Sequence, residues 1–338
     1  MPGSDPIVPS IRRVDGPVNR ATEPPALRLA RVDDIPACAE VWATAISDYQ
    51  LRLNQPGATG DLEPLRRLLV HLRDTDPDRF WVATRPPPVE GDPERLVGFG
   101  SAVIRGPVWF LGMLFVHPED QAAGLGRELL ARTLPSHDMP ILATATDSAQ
   151  PVANALYVRY GIVPRLPVFH VVGRPERRGA LPTLPSGITT LAFDAIAAGP
   201  PDGPGHRELM AAVAEIDRSV VGYEHPEDHR FLRKDGRVGY LYRGPGGAPL
   251  GYGYTSPVGR VGPVAALDEA LLAPIVGHLL TVLEPRGASS LRIPGAAERT
   301  FRTLLEAGLR IEGFPALLCW SRPFASFERY LPISLALI

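Results

Sequence analysis

The stretch that most limits what this chain can fold into is LGMLFVHPEDQAAGLGRELLAR, Leu111 to Arg132. It opens with apolar, strand-like residues, Leu114-Phe115-Val116, and the His117-Pro118 turn breaks them. Gln121, Gly124 and Gly126 follow, and an amphipathic run from Arg127 to Leu134 reads as helix. A strand that feeds through a glycine turn into a helix N-terminus makes an anion site. The unpaired N–H groups of the first turn and the helix dipole face the same point. Glycine keeps side chains from barring the backbone from a phosphate and permits left-handed φ. A dinucleotide fingerprint is excluded because G-x-G-x-x-G is absent, and a P-loop because no G-K-[ST] follows.

Around this unit the periodicity predicts a mixed α/β chain. A short strand at Leu27–Ala30 leads to a helix that starts at Asp33-Asp34-Ile35-Pro36 and buries Ile35, Ala39, Trp42, Ile46 and Tyr49 on one face. A second amphipathic helix covers Leu62 to Arg73. Strands follow at Phe80–Ala83 and Leu96–Val103, around a proline-rich loop from Arg85 to Arg95, and then at Trp109–Val116. After the glycine turn and its helix come a strand at Ile141–Ala145, a helix from Gln150 to Tyr160 capped by Gly161, and a strand at Phe169–Val172. Residues 1–25 lack periodicity and read as a disordered arm; residues 174–186 read as a proline- and arginine-rich linker. From Gly187 the pattern starts again. A strand at Ile188–Leu191 and a helix from His206 to Val220 precede a hairpin across Gly244-Pro245-Gly246-Gly247. A strand at Val258–Ala266, a helix at Leu267–Leu283, a strand at Leu291–Ile293, a helix at Glu298–Ala307 with its cap Gly308, and a closing strand at Leu317–Trp320 complete it. We take this as an internal repeat. The domains expected are therefore 26–173 and 187–338.

Gln121-Ala122-Ala123-Gly124-Leu125-Gly126, between its strand and its helix, resembles the Q/R-x-x-G-x-G/A pyrophosphate loop of the GNAT N-acetyltransferase superfamily, over roughly Leu27 to Val172. The resemblance implies two tandem acyl-CoA N-acyltransferase-like domains and acetyl-CoA as acyl donor. Leu114, Phe115 and Val116 would pair with the pantetheine arm, and the amides from Gln121 through Ala122, Ala123, Gly124, Leu125 and Gly126 to Arg127 would take the diphosphate. Tyr157, in Asn154-Ala155-Leu156-Tyr157-Val158-Arg159-Tyr160-Gly161, resembles the family's general acid for the leaving thiolate, a role a phenol protonated at neutral pH suits. Asn154, one turn earlier, would touch the pantetheine arm or cap Tyr157; Pro151 stands where the family often has another asparagine. The general base is open among Asp48, His71, Asp147 and water. In the second half Leu304 falls where Tyr157 sits and Phe301 where Asn154 sits, and VGPVAALDEALLAP carries no second glycine loop, so that half is expected to be degenerate.

The reaction expected is transfer of an acetyl or short acyl group to a primary amine, of a small molecule or a peptide, by direct attack. A non-enzymatic acyl-CoA sensor and a mycothiol-synthase-like acetyltransferase are the alternatives. The net charge of −2 gives no case for nucleic acid or an anionic membrane, and no run of eighteen apolar residues or signal-peptide pattern is present, so a cytoplasmic protein is expected. Cys38 and Cys319 read as buried core thiols. Metal spacing at His225 and His229 is unconvincing because Pro226 interrupts a shared helical face, and no metal is expected. Asp228-His229 is expected to cap a helix or meet the other domain. The apolar tail from Tyr330 to Ile338 is expected to pack back on a domain or to form a homodimer contact.

Overall fold

Eight consecutive residues of the strand Arg95–Arg105, from Leu96 to Val103, are buried, the mark of a strand covered on both faces. The computed structural model that shows this describes residues 24–57, 60–86, 93–136, 138–197 and 203–338. Apart from Pro24 and Pro25, the arm expected over residues 1–25 lies outside these, as does the centre of the Arg85–Arg95 loop. The first half runs β1 (Ala26–Leu29), α1 (Ile35–Arg52), α2 (Glu63–Thr75), β2 (Phe80–Arg85), β3 (Arg95–Arg105), β4 (Val108–Val116), α3 (Leu125–Thr133), β5 (Ile141–Asp147), α4 (Pro151–Val158) and β6 (Val163–Gly173). The second runs β7 (Thr189–Ala192), α5 (Phe193–Ile196), α6 (Pro204–Val220), α7 (Pro226–Lys234), β8 (Val238–Arg243), β9 (Pro249–Thr255), β10 (Val264–Ala266), α8 (Glu269–Thr281), β11 (Ser289–Pro294), α9 (Glu298–Glu306), β12 (Arg310–Ile311), β13 (Ala316–Trp320) and β14 (Tyr330–Leu331).

The mixed α/β architecture and the doubled pattern are as the sequence implies; the connection between the sheets is not. The closing strand of the second half, β13, leaves that half and lies between β5 and β6 of the first, antiparallel to both. β6 in turn pairs with β11 and β12 of the second half. The large sheet therefore runs β1-β2-β3-β4-β5-β13-β6-β11, and the small one β14-β10-β9-β8-β7. Periodicity reports which residues are strands but not which sheet recruits them, so this exchange is invisible in the sequence. Two further differences are local. The strand expected over Val258–Ala266 shortens to β10, because Ser256 to Arg260 close a turn. The ionisable run after Val221 forms a helix, α7.

Helices α1 and α2 cover one face of the large sheet, where Cys38, Ala39, Leu69 and Leu72 pack on Phe80, Val82, Phe99 and Phe110. Leu125 and Leu129 of α3 pack on the opposite face against Ala83 and Val97. The first of these cores continues into the second half through Ile216, Tyr254 and Tyr330 and into the chain's last residues, Ala336 to Ile338. The tail packs back on the chain, and both cysteines are buried and free. No helix among the described residues is long and apolar enough to cross a membrane.

Candidate active site

Strands β4 and β5 form the one parallel ladder among the described strands, and it is short. Val108 to Leu111 pair with Ile141 to Thr144 and the pairing then stops, although β4 runs on to Val116 and β5 to Asp147. Each arm is held from outside: Leu114 to Val116 pair with Gly100 to Gly98 of β3, and Ala145 to Asp147 with Leu318 to Ala316 of β13. The result is a fork with unpaired backbone groups along its inner edges, a place for a ligand to complete the sheet. Two features set the branching point. The Thr144 hydroxyl donates to the Leu111 carbonyl at 2.8 Å, closing the last rung. The β3 register steps from Leu111 to Met113, leaving Gly112 as a bulge that bends the strand. A Cβ on Gly112 would stand 2.7 Å from the Ala336 carbonyl oxygen, so the tail lies across the bulge. Neither Thr144 nor Gly112 stands out in the sequence, since a buried threonine and a strand glycine carry no motif.

The glycine turn sits at the open end of β4. Gly124 has φ +84° and serves as N-cap of α3, and Ala122 is also left-handed at +68°. The amide of Gln121 donates to the Pro118 carbonyl, and those of Arg127 and Glu128 to that of Gly124. Between them, among the described residues, the amides of Ala122 to Gly126 have no backbone acceptor. The run of amides without a backbone acceptor is narrower than the Gln121 to Arg127 stretch expected to take a diphosphate. Gly126 is informative in another way. Its backbone is ordinary helix, and an added Cβ would meet nothing closer than a Val116 methyl at 3.8 Å. The protein itself does not need glycine there, and the space it leaves lies over the free amides. The Gln121 side chain donates to the Val116 carbonyl at 3.0 Å, pinning the loop to the strand. From below, the buried Asp120 is held by Arg85 at 2.6 Å and Arg95 at 3.1 Å, an anchor that only the fold reveals.

Tyr157 lies on α4 among Leu111, Leu130 and Cys319, its ring buried. No partner is recorded for its hydroxyl among the described residues, and burial, then the neighbouring Cys319, raises the phenol's pKa and keeps it protonated. Asn154 does not cap Tyr157. Its Nδ2 donates to the carbonyls of Gln150 at 2.8 Å and Asp147 at 3.2 Å, tying α4 to the end of β5, while its Oδ1 is buried without a partner.

The three candidate bases separate cleanly. His71 bonds Asp228 at 2.6 Å and stacks on Phe231. Asp228 in turn grips Arg105, which pairs with Val108 at the far end of β4. Eight residues of strand, about 26 Å, separate that end from Val116, so His71 is not at the fork. Asp48 is ion-paired with Arg52 at 2.8 Å and lines a surface cleft of about 560 Å³ with Ser47, His117 and Glu119. Asp147 ends the second arm of the fork. Its carboxylate accepts from the Ala149 amide at 2.9 Å and lies close to Tyr49 of α1, a phenol whose pKa is raised by burial and then by Asp147.

The ionisable run of the second half joins the two halves. Arg105 bonds Asp228 at 2.9 Å and Asp76 at 2.8 Å in a buried cluster. His225 is the N-cap residue of α7 and Pro226 its first residue, so the proline does not separate His225 from His229 as the spacing implied. One carboxylate oxygen of Asp217 and a nitrogen from each ring lie within 4.8 Å of one another. His229 is bonded to Asp217 at 3.0 Å and to the Tyr254 hydroxyl at 2.8 Å. Burial alone would lower the pKa of His225, but the carboxylates of Asp217 and Asp228 on either side raise it to about 10. Its ring nitrogens stand 3.4 Å from an Asp217 oxygen and 3.6 Å from an Asp228 oxygen. The geometry is that of a salt-bridged joint.

Comparison with known proteins gives the same outline. Residues 45–162 match the model of the acetyltransferase (GNAT) family. A putative acetyltransferase from Pyrococcus horikoshii shares the fold at a TM-score of 0.67 and 17% identity, over 96% of this chain and 100% of that one. A GCN5-related N-acetyltransferase from Sphaerobacter thermophilus gives 0.56 at 17% identity, over 91% and 99%. A tandem GNAT protein of the clavulanic acid biosynthesis pathway gives 0.52 at 17%, over 88% and 99%. Among curated proteins none matches.

Proposed function

We propose that the chain, whose residues 45–162 match the model of the acetyltransferase (GNAT) family, transfers an acetyl or short acyl group from acetyl-CoA to a primary amine. The observation that carries this reading is the coincidence of the fork and the cradle: β4 and β5 part at the same end of the sheet where Ala122 to Gly126 present unused amides. The diphosphate would lie on those amides and the space over Gly126. The pantetheine arm would run along Leu114, Phe115 and Val116, with the unpartnered Oδ1 of Asn154 as an acceptor for one of its amides.

The amine nitrogen attacks the thioester carbonyl, the C–S bond breaks, and Tyr157 gives its proton to the departing thiolate. The raised pKa of Tyr157 keeps that proton available at neutral pH. Asp147, at the end of the other arm, is the carboxylate best placed to take the proton the amine loses, directly or through water. A screen of acyl-CoA consumption over small-molecule and peptide amines tests the reading. Turnover should appear with one class and vanish in Gly126→Glu. Tyr157→Phe should lower kcat about 100-fold or more with acetyl-CoA affinity unchanged. Consumption with no amine class, despite bound acetyl-CoA, would overturn it.

A further inference from the structure

A second cleft, of about 500 Å³, opens between the start of α2 in the first half and the turns of the second. Four guanidinium groups, Arg67, Arg237, Arg260 and Arg286, line it against two carboxylates, Asp61 and Asp235. Arg67 is already satisfied by Asp235 at 2.7 Å, and Asp61 accepts from the Glu63 amide at 2.9 Å. The other three arginines have no acidic partner among the described residues. Arg237 gives one nitrogen to the Gly262 carbonyl, and its Nε is buried with no partner. Burial, and next the charge of Arg260, pushes its guanidinium down to about 10 against a smaller opposing pull from Asp235, which is itself paired with Arg67. Burying an uncompensated charge is unfavourable unless an opposite charge is supplied. Arg260 and Arg286 stand at the exposed rim, fixed by their backbones: the Arg260 amide bonds the Ser256 hydroxyl at 3.0 Å and the Arg286 amide the Pro257 carbonyl at 2.9 Å.

We propose that this cleft binds a small polyanion, a molecule bearing two or more carboxylate or phosphate groups, between Arg237 at its base and Arg260 and Arg286 at its rim. Planar, forked guanidinium groups match such oxyanions two bonds at a time. Positive charge continues beyond the cleft. Arg260 bridges to Ser290 of β11, and Arg292 on the same strand lies within electrostatic range of both Arg260 and Asp147. The ligand is therefore either the acidic end of the amine acceptor or a separate anionic effector, and the two share one chemistry.

Citrate serves as the probe, titrated calorimetrically into the full chain. Saturable binding of one citrate per chain is expected, at least tenfold weaker in Arg260→Gln/Arg286→Gln and unchanged in Gly124→Glu, which disables only the diphosphate cradle. Thermal unfolding should shift upward with citrate in the parent chain and not in the double variant, since a ligand that binds the folded chain and not the unfolded one stabilises the fold. Absence of binding, or binding indifferent to the two arginines but lost in Gly124→Glu, overturns the proposal. The arm that names the source is kinetic: inhibition competitive with the amine marks the acceptor's acidic end, and inhibition that leaves its KM unchanged marks an effector. The calorimetric result stands even if no amine is turned over, so failure of the transferase reading is distinguishable from failure of this one.

Discussion

The two halves repeat one strand-to-helix unit and finish it in opposite ways. In the first, β4 ends in an open fork, and α3 begins at a left-handed glycine with free amides around it. In the second, β10 is paired on both sides, with β9 and with β14, so no fork exists. Its helix α8 begins at Asp268, whose own carboxylate accepts from the Ala270 amide at 2.9 Å. A helix N-terminus must find acceptors somewhere; the back half supplies one itself and the front half leaves the position open. The later helix diverges in parallel. Gly161 and Gly308 both end it with positive φ, but Leu304 is fully buried core where Tyr157 keeps a polar tip.

The largest expected difference between the halves is in cofactor binding. Gly126→Glu fills the space over the cradle with a like charge, and acetyl-CoA affinity should fall by at least ~1,000-fold, about 4 kcal/mol. Circular dichroism should be unchanged, because an added Cβ meets no protein atom closer than 3.8 Å. Retained binding by calorimetry would show that the open amides are not the diphosphate site. Next in size is the joint that lets the back half support the front. Arg105→Ala leaves Asp76 buried without its cation and Asp228 with only its two histidines, so unfolding in urea should show a loss of about 3–5 kcal/mol. A loss below about 1 kcal/mol would mean that the shared sheet and the apolar core join the halves without help from the buried ion pairs.

How much of this was legible in the residues follows the same division. The front cradle could be read because it is local: Gln121, Gly124 and Gly126 lie in one hexapeptide with a strand before and a helix after. The absence of its twin could be read for the same reason. The fork could not, because its second arm is held by β13, a strand about 170 residues further on, and no local pattern reports a distant partner. His71 and Asp147 are equal candidates for the base in the sequence, and only the fold sets His71 beside the Arg105 end of β4. Asp120, Thr144 and Arg105 share this blindness: each is an isolated polar residue whose partners come from other elements. Pro226, which in the sequence reads as a break between His225 and His229, starts the helix, where proline is best tolerated.

The joint also makes a pH prediction. His225 faces Asp217 from α6, Asp228 and His229 from α7, and Tyr223 beside it; Tyr252 and Tyr254 of β9 stand behind Asp217 and His229, and Arg105 beyond Asp228. Its folded pKa, about 10, lies above its ordinary 6.5. The stabilisation is therefore complete below pH 6.5 and is lost as pH rises toward 10, at up to about 1.4 kcal/mol per pH unit. His229, whose pKa is held down by burial, acts in the opposite sense, below pH 6.5. Urea unfolding between pH 6.5 and 9.5 should show the decline, and His225→Gln should flatten it. An equally steep decline in the variant would assign it to another group.

The smallest effect is the most direct test of why the back half is closed. If Asp268 merely caps α8, Asp268→Ala costs about 1 kcal/mol, the usual value of an N-cap, and leaves acetyl-CoA affinity untouched. Freeing the Ala270 amide does not rebuild a site, because Val264 to Ala266 remain buried between two strands and offer no fork edge for a pantetheine arm. Cofactor binding at the back half of Asp268→Ala, measured in a Gly126→Glu background, would show that free amides at a helix start suffice. Its absence would show that the fork, and not the cradle alone, decides which half can work.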